Sequence, residues 1–313
     1  MAVINDIKSM KIRGAGRIAR ATANALKMVS TSFTGESRDD FIQYIKGAAK
    51  LLLNTRPTAV SLPNAVRYIL GNVMKLYRAG KDVEELRQAA IKASNEFIRL
   101  SRRALKNIRK LGSELVESGD VILTHCNSAA ALSILVESAR SGKDITVYAT
   151  ETRPRFQGRI TAKVLDKHGI RTFLIVDSAV RYYMNKISKV FVGADAILID
   201  GTLINKIGTS VIAVIAEEFN VPFYVAAETY KFDPTSIFGY RVKIEERSET
   251  EVVPPQFLRK LKHVKVLNPA FDITPPKYIT AIISEVGICS PTQFPLVAKE
   301  TLQLSYSELT PWE

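Results

Sequence analysis

A change of pattern at Asp120 constrains the fold of this chain more than any other feature. From that residue onward, short apolar runs rich in β-branched residues alternate with segments of helical periodicity. Strands buried on both faces lose the apolar–polar alternation, and strands that alternate with helices are typical of a parallel, doubly wound sheet. The predicted strands cover residues 121–123, 145–149, 171–176, 190–192, 197–199, 223–226, 264–267 and 279–283.

The residues before this change have the pattern of a helical domain. Apolar residues recur at helical spacing around Phe41 and Ile45, and again in a long segment from Val83 that includes Phe97. The predicted fold is therefore α/β, with an N-terminal helical domain (1–118) followed by a Rossmann-like, mostly parallel sheet domain (119–313). In open α/β sheets, ligands bind at the rim formed by the carboxyl ends of the strands.

The composition is that of a globular protein with a substantial core. Apolar residues make up 46% of the chain, and neither a signal-peptide pattern nor an apolar run of about 18 residues is present. We therefore expect a cytoplasmic protein without a membrane span. Two cysteines, Cys126 and Cys289, and three histidines give little support to a disulfide framework or a zinc site, so no metal ion is expected.

The formal net charge of +13 has three interpretations. One is a lysine-rich solvated surface, another is a phosphorylated small molecule as ligand, and the third is a nucleic acid. The basic residues are spread along the chain without a dense tract or an RNA-binding aromatic motif. This spread favours the solvated surface most and nucleic acid least, but the charge alone does not decide between them.

Two isolated polar residues stand where predicted strands end. Cys126 precedes a predicted helix, and a thiol near a helix N-terminus is expected to have a lowered pKa that favours the thiolate. Asp195 lies in an apolar stretch, where burial raises the pKa of a carboxyl group toward the general acid–base range. The alternative for an isolated cysteine is a small buried hydrophobic residue. His125 is adjacent, but neighbouring strand residues point to opposite faces, so the expected proton-transfer pair is Cys126 with Asp195.

Four further segments offer groups that bind anions. They are Arg13-Gly14-Ala15-Gly16-Arg17, residues 55–58 with Arg56, residues 151–154 with Arg153, and residues 205–209 with Asn205 and Lys206. The first and last segments stand at predicted helix starts, where backbone amides and basic side chains together bind phosphate. Each segment alone is explained equally well as an ordinary turn. Combined with the acid–base pair, the four segments point to a phosphorylated small-molecule substrate.

These segments, in this order, resemble a known family. It joins methylthioribose-1-phosphate isomerases, archaeal ribose-1,5-bisphosphate isomerases and the regulatory subunits of translation initiation factor 2B. The resemblance covers essentially the whole chain and is carried by residues 13–16, 55–60, 124–127, 151–158, 193–195 and 205–209. In the isomerases, the motif cysteine and aspartate are the catalytic pair, which implies Cys126 and Asp195. The sugar-phosphate contacts implied by the same resemblance are Arg13, Arg56, Arg153, Gln157, Asn205 and Lys206.

The three branches of this family differ at their motifs. The translation-factor subunits need not keep the catalytic pair, whereas this chain has both members. Methionine-salvage isomerases usually have proline where this chain has Gly16. Gly16 and residues 226–232 and 268–276 are most similar to the ribose-1,5-bisphosphate isomerases. Asp200 is a departure from that branch, in which asparagine often stands at this position.

The resemblance implies an activity and a setting. The activity is conversion of ribose 1,5-bisphosphate to ribulose 1,5-bisphosphate by Cys/Asp acid–base chemistry, in the degradation of nucleoside monophosphates such as AMP. No metal or redox cofactor is implied, and the implied assembly is a homo-oligomer of dimers, typically a hexamer. The alternatives are a methylthioribose-1-phosphate isomerase and a noncatalytic regulatory subunit. A membrane partner is not expected, and nucleic acid is not favoured as a partner.

Overall fold

The described residues before position 120 form five helices joined by short loops. They are α1 (Ala2–Lys8), α2 (Ala15–Ser32), α3 (Arg38–Leu53), α4 (Ser61–Arg78) and α5 (Val83–Glu114). The structure, a computed structural model, describes residues 2–9, 11–12, 14–56, 60–239, 243–259, 261–302 and 309–312. Helices α2, α4 and α5 pack on one another around a core that includes Leu26, Phe41 and Ile69, all with no exposed surface. This confirms the predicted helical pattern.

The sequence around Asp82 explains where the 32-residue helix α5 begins. The Asp82 side chain accepts a hydrogen bond from the Glu85 amide at 2.8 Å, and the Glu85 side chain accepts one from the Asp82 amide at 3.2 Å. This capping box satisfies two backbone donors that the first turn leaves without helical partners, which stabilises the helix by about 1 kcal/mol. None of the described helices combines the length and apolar content that crossing a membrane requires.

Ten strands follow in the described part of the chain, and seven of them form the main sheet. They are β1 (Val121–Thr124), β2 (Thr146–Thr150), β3 (Arg171–Ile175), β4 (Lys189–Gly193), β5 (Ala196–Ile197), β6 (Leu203–Lys206), β7 (Phe223–Ala226), β8 (Phe271–Thr274), β9 (Ala281–Ser284) and β10 (Gly287–Cys289). The main sheet has the order β10-β9-β7-β4-β1-β2-β3, and all its pairs are parallel except β9 with β10. The predicted α/β fold with a mostly parallel sheet is therefore confirmed.

Helices cover both faces of this sheet, which explains the apolar runs in its strands. The described helices of this part are α6 (Ala129–Arg140), α7 (Gln157–Lys167), α8 (Val180–Tyr183), α9 (Thr209–Glu218), α10 (Pro255–Leu258) and α11 (Phe294–Leu302). On β1, Ile122 packs in one core with residues of α6, while the adjacent Leu123 packs in a second core with residues of α9 and α11. Because both faces are buried, apolar residues occupy consecutive strand positions.

Two of the strand predictions need correction. Residues 197–199 were expected in the parallel sheet, but β5 pairs antiparallel with β6, and β6 pairs antiparallel with β8, in a separate small sheet. Residues 264–267 form no strand, and Val264 and Leu267 are exposed. A β-branched run becomes a strand only where a neighbouring strand accepts its backbone hydrogen bonds. No such neighbour lies beside residues 264–267 in the described part of the chain.

The segment that follows β7 joins the helical core to the sheet core. Tyr230 is buried in the helical core, and Phe232 is buried in a core of the sheet. Asn64 of α4 donates its side-chain N–H groups to the Tyr230 carbonyl at 2.8 Å and to the Phe232 carbonyl at 2.7 Å. Both donors of the amide are thus used. The helices are thereby held against the rim where β7 ends.

Helix α5 also belongs to both parts of the molecule. Its Ile108 packs in the core shared by β1 and α6. A Cβ atom built on Gly112 would lie 2.3 Å from Cδ1 of Ile134, so α5 and α6 approach closely where α5 has no side chain. Helix α5 contributes to the helical core and to the core of β1 and α6. The division of the chain into two domains at residue 118 remains a prediction.

Replacing Gly158 with alanine is expected to lower the free energy of unfolding by about 1–3 kcal/mol. A Cβ atom there would lie 1.7 Å from the Thr150 carbonyl oxygen, which moves only if β2 or α7 moves. Gly47→Ala is the matched control, because its Cβ would meet no atom within 4 Å and alanine favours the helix. Urea unfolding measures both variants, and equal stability of the two would contradict this packing.

Candidate active site

Cys126 and Asp195 lie at the same rim of the main sheet. Strands β1 and β4 are parallel neighbours that end at Thr124 and Gly193, so each of the two residues follows closely after its strand. The carboxyl ends of adjacent parallel strands meet at one edge. The negative charge of Asp195 acts on the Cys126 thiol and raises its pKa. The structure therefore brings the thiol and the carboxyl group together, as the strand ends predict.

The backbone at Cys126 is strained and held by hydrogen bonds. Its φ of 65° lies in the left-handed region, which costs a residue with a side chain about 1–3 kcal/mol. The Cys126 amide donates to the Thr152 hydroxyl at 2.9 Å, and the Thr161 hydroxyl donates to the Cys126 carbonyl at 2.6 Å. Strain that is maintained in this way is common at functional sites, where it orients a side chain.

Burial raises the pKa of the Cys126 thiol to about 11, despite the opposing positive charge of Lys206. The prediction that a helix N-terminus lowers this pKa is therefore wrong. Helix α6 is capped instead by Ser128, whose hydroxyl accepts a hydrogen bond from the Ala131 amide. The cost of removing a thiolate from water exceeds the stabilisation that nearby positive charges provide. The thiol is consequently protonated at neutral pH.

Asp195 is partly buried and has cationic side chains around it. Burial raises the pKa of its carboxyl group, as predicted, and the charges of Lys206, Lys231, Arg56 and Arg247 act in the opposite direction. Lys206 and Arg56 belong to the predicted anion-binding segments, whereas Lys231 and Arg247 do not. A carboxyl group in this setting changes protonation state more readily than one that is exposed to water.

Lys206 is one of the two predicted anion-binding residues whose charges act on Asp195. Its charge acts on both Cys126 and Asp195. Its ammonium group donates to the Ala270 carbonyl at 2.8 Å and lies 4.8 Å from the ring centre of Phe271. Burial lowers the pKa of Lys206. These contacts hold the ammonium group at the site through a neutral acceptor and an aromatic face.

The backbone amides at the start of α9 were predicted to bind phosphate, and this detail is wrong. The Asp272 carboxylate accepts hydrogen bonds from the amides of Gly208 at 2.7 Å and Ser210 at 3.0 Å. Asn205 donates to the Thr209 hydroxyl at 3.0 Å. The chain's own carboxylate thus occupies the anion site of this helix N-terminus. Asn205 acts within the structure mainly by supporting the turn that presents Lys206.

The Gly-rich N-terminal motif lies against the segment that follows β7. Arg13 lies outside the described residues. Gly14 precedes α2 with a φ of 88°, and the Ala15 carbonyl accepts a hydrogen bond from the Ser61 hydroxyl at 3.0 Å. A Cβ atom on Gly16 would lie 3.0 Å from the Tyr230 hydroxyl and 3.5 Å from the Glu228 carboxylate, so glycine permits a close approach here. Arg17 is exposed on the first turn of α2.

The arginines of the other two predicted segments have different positions. Arg56 forms an ion pair with Glu245 at 3.1 Å, and its charge reaches Asp195. Arg153 is exposed, donates to the Val252 carbonyl at 3.3 Å and lies over the Phe156 ring. Its described contacts do not include Cys126 or Asp195. The Gln157 side-chain oxygen is buried and has no hydrogen-bond partner among the described residues, which leaves it able to accept one.

His125 has a supporting role that the sequence did not indicate. Its Nε2 lies 2.9 Å from the Ile207 carbonyl, and its Nδ1 lies 2.6 Å from the Thr150 hydroxyl. Since a carbonyl only accepts, Nε2 carries the proton, and Nδ1 accepts from Thr150. Burial lowers the pKa of His125 to about 4, so the ring is neutral. The neutral ring joins the loop of Cys126 to the turn of Lys206.

Two further charged groups beside Asp195 come from residues that were not predicted as site residues. Lys231 forms a buried ion pair with Glu228 at 2.7 Å, and its charge reaches Asp195. Burial alone would raise the pKa of Glu228, but Lys231 and the Tyr230 hydroxyl hold it below its usual value. Arg247 is the other cation, and it lies in an irregular segment. Its basic character is visible in the sequence, but no strand end or helix start indicates its position.

A hydrogen-bonded chain connects Glu228 to the helices. Arg20 donates to the Ser101 hydroxyl at 3.0 Å, Ser101 lies 3.1 Å from the Tyr230 hydroxyl, and Tyr230 donates to Glu228 at 2.8 Å. Because Tyr230 uses its single proton for Glu228, Ser101 donates to Tyr230. The chain runs from α2 and α5 to the ion pair beside Asp195, so helices from before residue 120 contribute to the geometry of the site.

The fold and the site together define a class of protein. A thiol that holds its proton and a partly buried carboxyl group share the rim of a parallel sheet, with lysine and arginine side chains around them. Such an arrangement is suited to moving protons on a small anionic molecule. The chain belongs to the Initiation factor 2 subunit family, whose model matches residues 11–291.

Relatives and solved structures agree with this membership. The chain is 46% identical to a ribose 1,5-bisphosphate isomerase from Thermococcus kodakarensis, over 100% of this chain and 98% of that protein. It is 51% identical to a ribose 1,5-bisphosphate isomerase from Methanocaldococcus jannaschii, over 91% of this chain and 89% of that protein. Among solved structures, the translation initiation factor eIF-2B from Pyrococcus horikoshii OT3 is similar, with a TM-score of 0.78 and 30% identity, covering 93% of this chain and 97% of that chain.

Alkylation tests the protonation state of Cys126. In a Cys289→Ser variant, Cys126 is the single cysteine, and its rate of reaction with iodoacetamide should rise about tenfold per pH unit between pH 7 and 10. The reason is that the pKa is raised to about 11, so the thiolate fraction keeps growing throughout this range. The same variant unfolded in urea is the control, and its rate should level off near pH 9. A rate for the folded protein that does not depend on pH would show a thiolate instead.

Proposed function

We propose that this chain is a sugar-phosphate isomerase that converts ribose 1,5-bisphosphate to ribulose 1,5-bisphosphate. The observation that carries the proposal is the pairing of Cys126 with Asp195 among lysine and arginine side chains. Similarity along the full chain to ribose 1,5-bisphosphate isomerases supports the choice of substrate. A sugar bisphosphate has two phosphate groups that need cationic partners, and its isomerisation needs a proton donor and a proton acceptor.

The pKa directions support a role for each member of the pair. Burial raises the pKa of Cys126 to about 11, so its thiol carries a proton that it can donate at neutral pH. Burial raises the pKa of Asp195, which suits a group that takes up a proton, and the charges of Lys206, Lys231, Arg56 and Arg247 act in the opposite direction and favour its ionised form. In this proposal, Cys126 is the general acid and Asp195 is the general base.

The proposed reaction has two steps with balanced proton movements. Asp195 takes the proton from C2 of the sugar, the C1–C2 double bond forms, and the bond between C1 and the ring oxygen breaks. Cys126 gives its proton to the ring oxygen. Asp195 then gives its proton to C1 of the resulting enol phosphate, and the C2 hydroxyl gives its proton to the Cys126 thiolate, which forms the ketone and restores both side chains. The alternative is ring opening followed by a hydride shift from C2 to C1.

Phosphate contacts complete the proposal. Lys206 and Arg56 are the predicted contacts whose charges reach the pair in the structure. The remaining proposed contacts are Arg13, Gly14, Ala15, Gly16, Arg17, Arg153, Gln157 and Asn205. The N-terminal motif lies beside Glu228, so the helical domain provides one side of the proposed site and the sheet provides the other. Closure of the two parts on the substrate would exclude water from the enol intermediate.

The setting of this reaction is part of the same proposal. In this proposal the reaction belongs to the degradation of nucleoside monophosphates such as AMP and takes place in the cytoplasm. The proposed assembly is a homo-oligomer of dimers, with a hexamer as the typical form, and the proposed partner is the sugar bisphosphate. The alternatives are an isomerase for methylthioribose 1-phosphate and a noncatalytic regulatory subunit. The latter is favoured by the structural similarity to a translation initiation factor.

Activity measurements with three proteins distinguish these functions. Wild type should convert ribose 1,5-bisphosphate, and Cys126→Ser and Asp195→Asn should each lower kcat by about 10²–10⁴-fold, the usual contribution of a general acid or base. Methylthioribose 1-phosphate is the parallel substrate, and conversion of that sugar alone would assign the methionine-salvage reaction. Binding of both sugars by folded wild type without any conversion would support the regulatory function and contradict the catalytic one.

The pH dependence of kcat/KM tests the assigned roles. If Asp195 is the base, activity rises with pH as its carboxyl group ionises, and the midpoint lies above its ordinary pKa of 3.8 because burial raises it. If Cys126 is the acid, activity falls as the thiol ionises, with a midpoint at about pH 11. Circular dichroism at each pH checks that the protein is folded. Loss of activity between pH 7 and 9 in folded protein would contradict a protonated Cys126.

A further inference from the structure

One carboxylate bridges two arginines that come from different parts of the chain. Glu245 Oε2 lies 3.1 Å from Arg56 Nη2, and Glu245 Oε1 lies 3.0 Å from Arg247 Nε. All three side chains are largely withdrawn from water, with exposures of 14% for Arg56, 19% for Glu245 and 11% for Arg247. Arg56 follows α3 of the helical domain, whereas Arg247 lies between β7 and β8. Glu245 therefore holds two guanidinium groups side by side across the domain junction.

The backbone around Arg247 is anchored, so its position is defined. The Arg247 amide donates to the Asn268 carbonyl at 3.0 Å, and the Ala270 amide donates to the Glu245 carbonyl at 2.8 Å. The Arg247 guanidinium lies 5.8 Å from the ring centre of Phe271. Lys206 lies 4.8 Å from the centre of the same ring, so both cations share one aromatic contact. This places Arg247 beside a residue of the proposed active site.

The charge of Arg247 reaches both members of the catalytic pair. It acts on the Cys126 thiol and on the Asp195 carboxyl group, and it favours the ionised form of each. Arg56 also acts on Asp195. The bridged arginines therefore lie close enough to the catalytic pair for their charges to act on it.

Two adjacent guanidinium groups carry more positive charge than one carboxylate neutralises. Glu245 carries one negative charge, and the two arginines carry two positive charges. A guanidinium has five N–H donors, and one N–H group of each of these arginines donates to Glu245. A phosphate dianion accepts several such hydrogen bonds, and paired N–H groups match its oxygen atoms well. The remaining charge and donors suit a phosphate group.

We infer that Arg247, held beside Arg56 by Glu245, binds one of the two phosphate groups of the substrate. This inference rests on the proposed function and adds a substrate contact that neither a strand end nor a helix start in the sequence indicates. Glu245 acts as a positioning residue, because it sets the separation of the two guanidinium groups. Lys206, which contacts the same Phe271 ring, then remains close to the catalytic pair.

The test measures ligand binding and turnover separately. Ribulose 1,5-bisphosphate binding is measured by calorimetry, and KM and kcat are measured with ribose 1,5-bisphosphate, in wild type, Arg247→Gln and Arg247→Lys. Arg247→Gln should raise Kd and KM by at least about 10-fold, since hydrogen bonds to charged groups make contributions of that size. Its kcat should change by less than about 3-fold. Arg247→Lys keeps the charge and should recover part of the affinity.

Arg181, which is exposed and lies elsewhere in the chain, provides a control. It pairs with Glu218 and lies 5.6 Å from the ring centre of Phe219, so it has the same kinds of contact as Arg247. Arg181→Gln should bind ribulose 1,5-bisphosphate as wild type does. An Arg247→Gln protein with the Kd and KM of wild type would overturn the inference. An equal loss of affinity in Arg247→Gln and Arg247→Lys, with a lowered melting temperature in both, would also overturn the inference, because it would show a structural role.

The same measurements separate this inference from the proposed reaction. If wild type binds ribulose 1,5-bisphosphate through Arg247 but converts no ribose 1,5-bisphosphate, the phosphate contact stands and the proposed reaction fails. If wild type converts the substrate and Arg247→Gln is unaffected, the reaction stands and the contact fails. Binding of ribulose 5-phosphate then identifies which phosphate group Arg247 contacts. Weaker binding by Arg247→Gln than by wild type identifies the 5-phosphate, and unchanged binding identifies the 1-phosphate.

Discussion

The arrangement of the site depends on the segment that follows β7, because this segment is buried in both cores at once. Tyr230 packs among the helices, Phe232 packs under the sheet, and Asn64 holds the carbonyl groups of both. Next to these anchors, the Glu228–Lys231 ion pair lies out of water beside Asp195. Removing one partner of a buried ion pair typically costs about 3–5 kcal/mol, because the other charge is left uncompensated. The same residues therefore join the two cores and supply charge to the site.

The charges at the rim are arranged for chemistry more than for stability. A partly buried thiol, a partly buried carboxyl group and several cations lie together, although burial of each charged form costs free energy. Contacts within the chain offset part of this cost, as the Ala270 carbonyl and the Phe271 ring do for Lys206. The strained backbone at Cys126 adds a further cost. Such costs concentrate where a protein binds or transforms a ligand.

Much of the fold and the central pair could be predicted from sequence patterns. Helical periodicity from Val83 corresponds to α5, and apolar runs correspond to the strands of the parallel sheet. Cys126 and Asp195 were predicted to meet because each follows a strand, and the ends of parallel strands share one rim. Arg247 and Lys231 could not be predicted in this way, since they lie outside strand ends and helix starts. Their positions result from contacts with residues distant in the chain, such as Asn268 for Arg247.

The pKa of Cys126 and the amides at α9 show the limit of local patterns. Periodicity and strand ends are local properties, so sequence patterns were enough to predict the elements, the parallel sheet and the placement of a thiol and a carboxyl group at its rim. Three features depend on long-range contacts in the folded chain: burial raises the pKa of the thiol, Asp272 accepts hydrogen bonds from the amides at the start of α9, and Glu245 holds Arg56 beside Arg247. Desolvation, hydrogen-bond competition and Coulomb interactions depend on distances between residues far apart in the chain, and folding alone sets those distances.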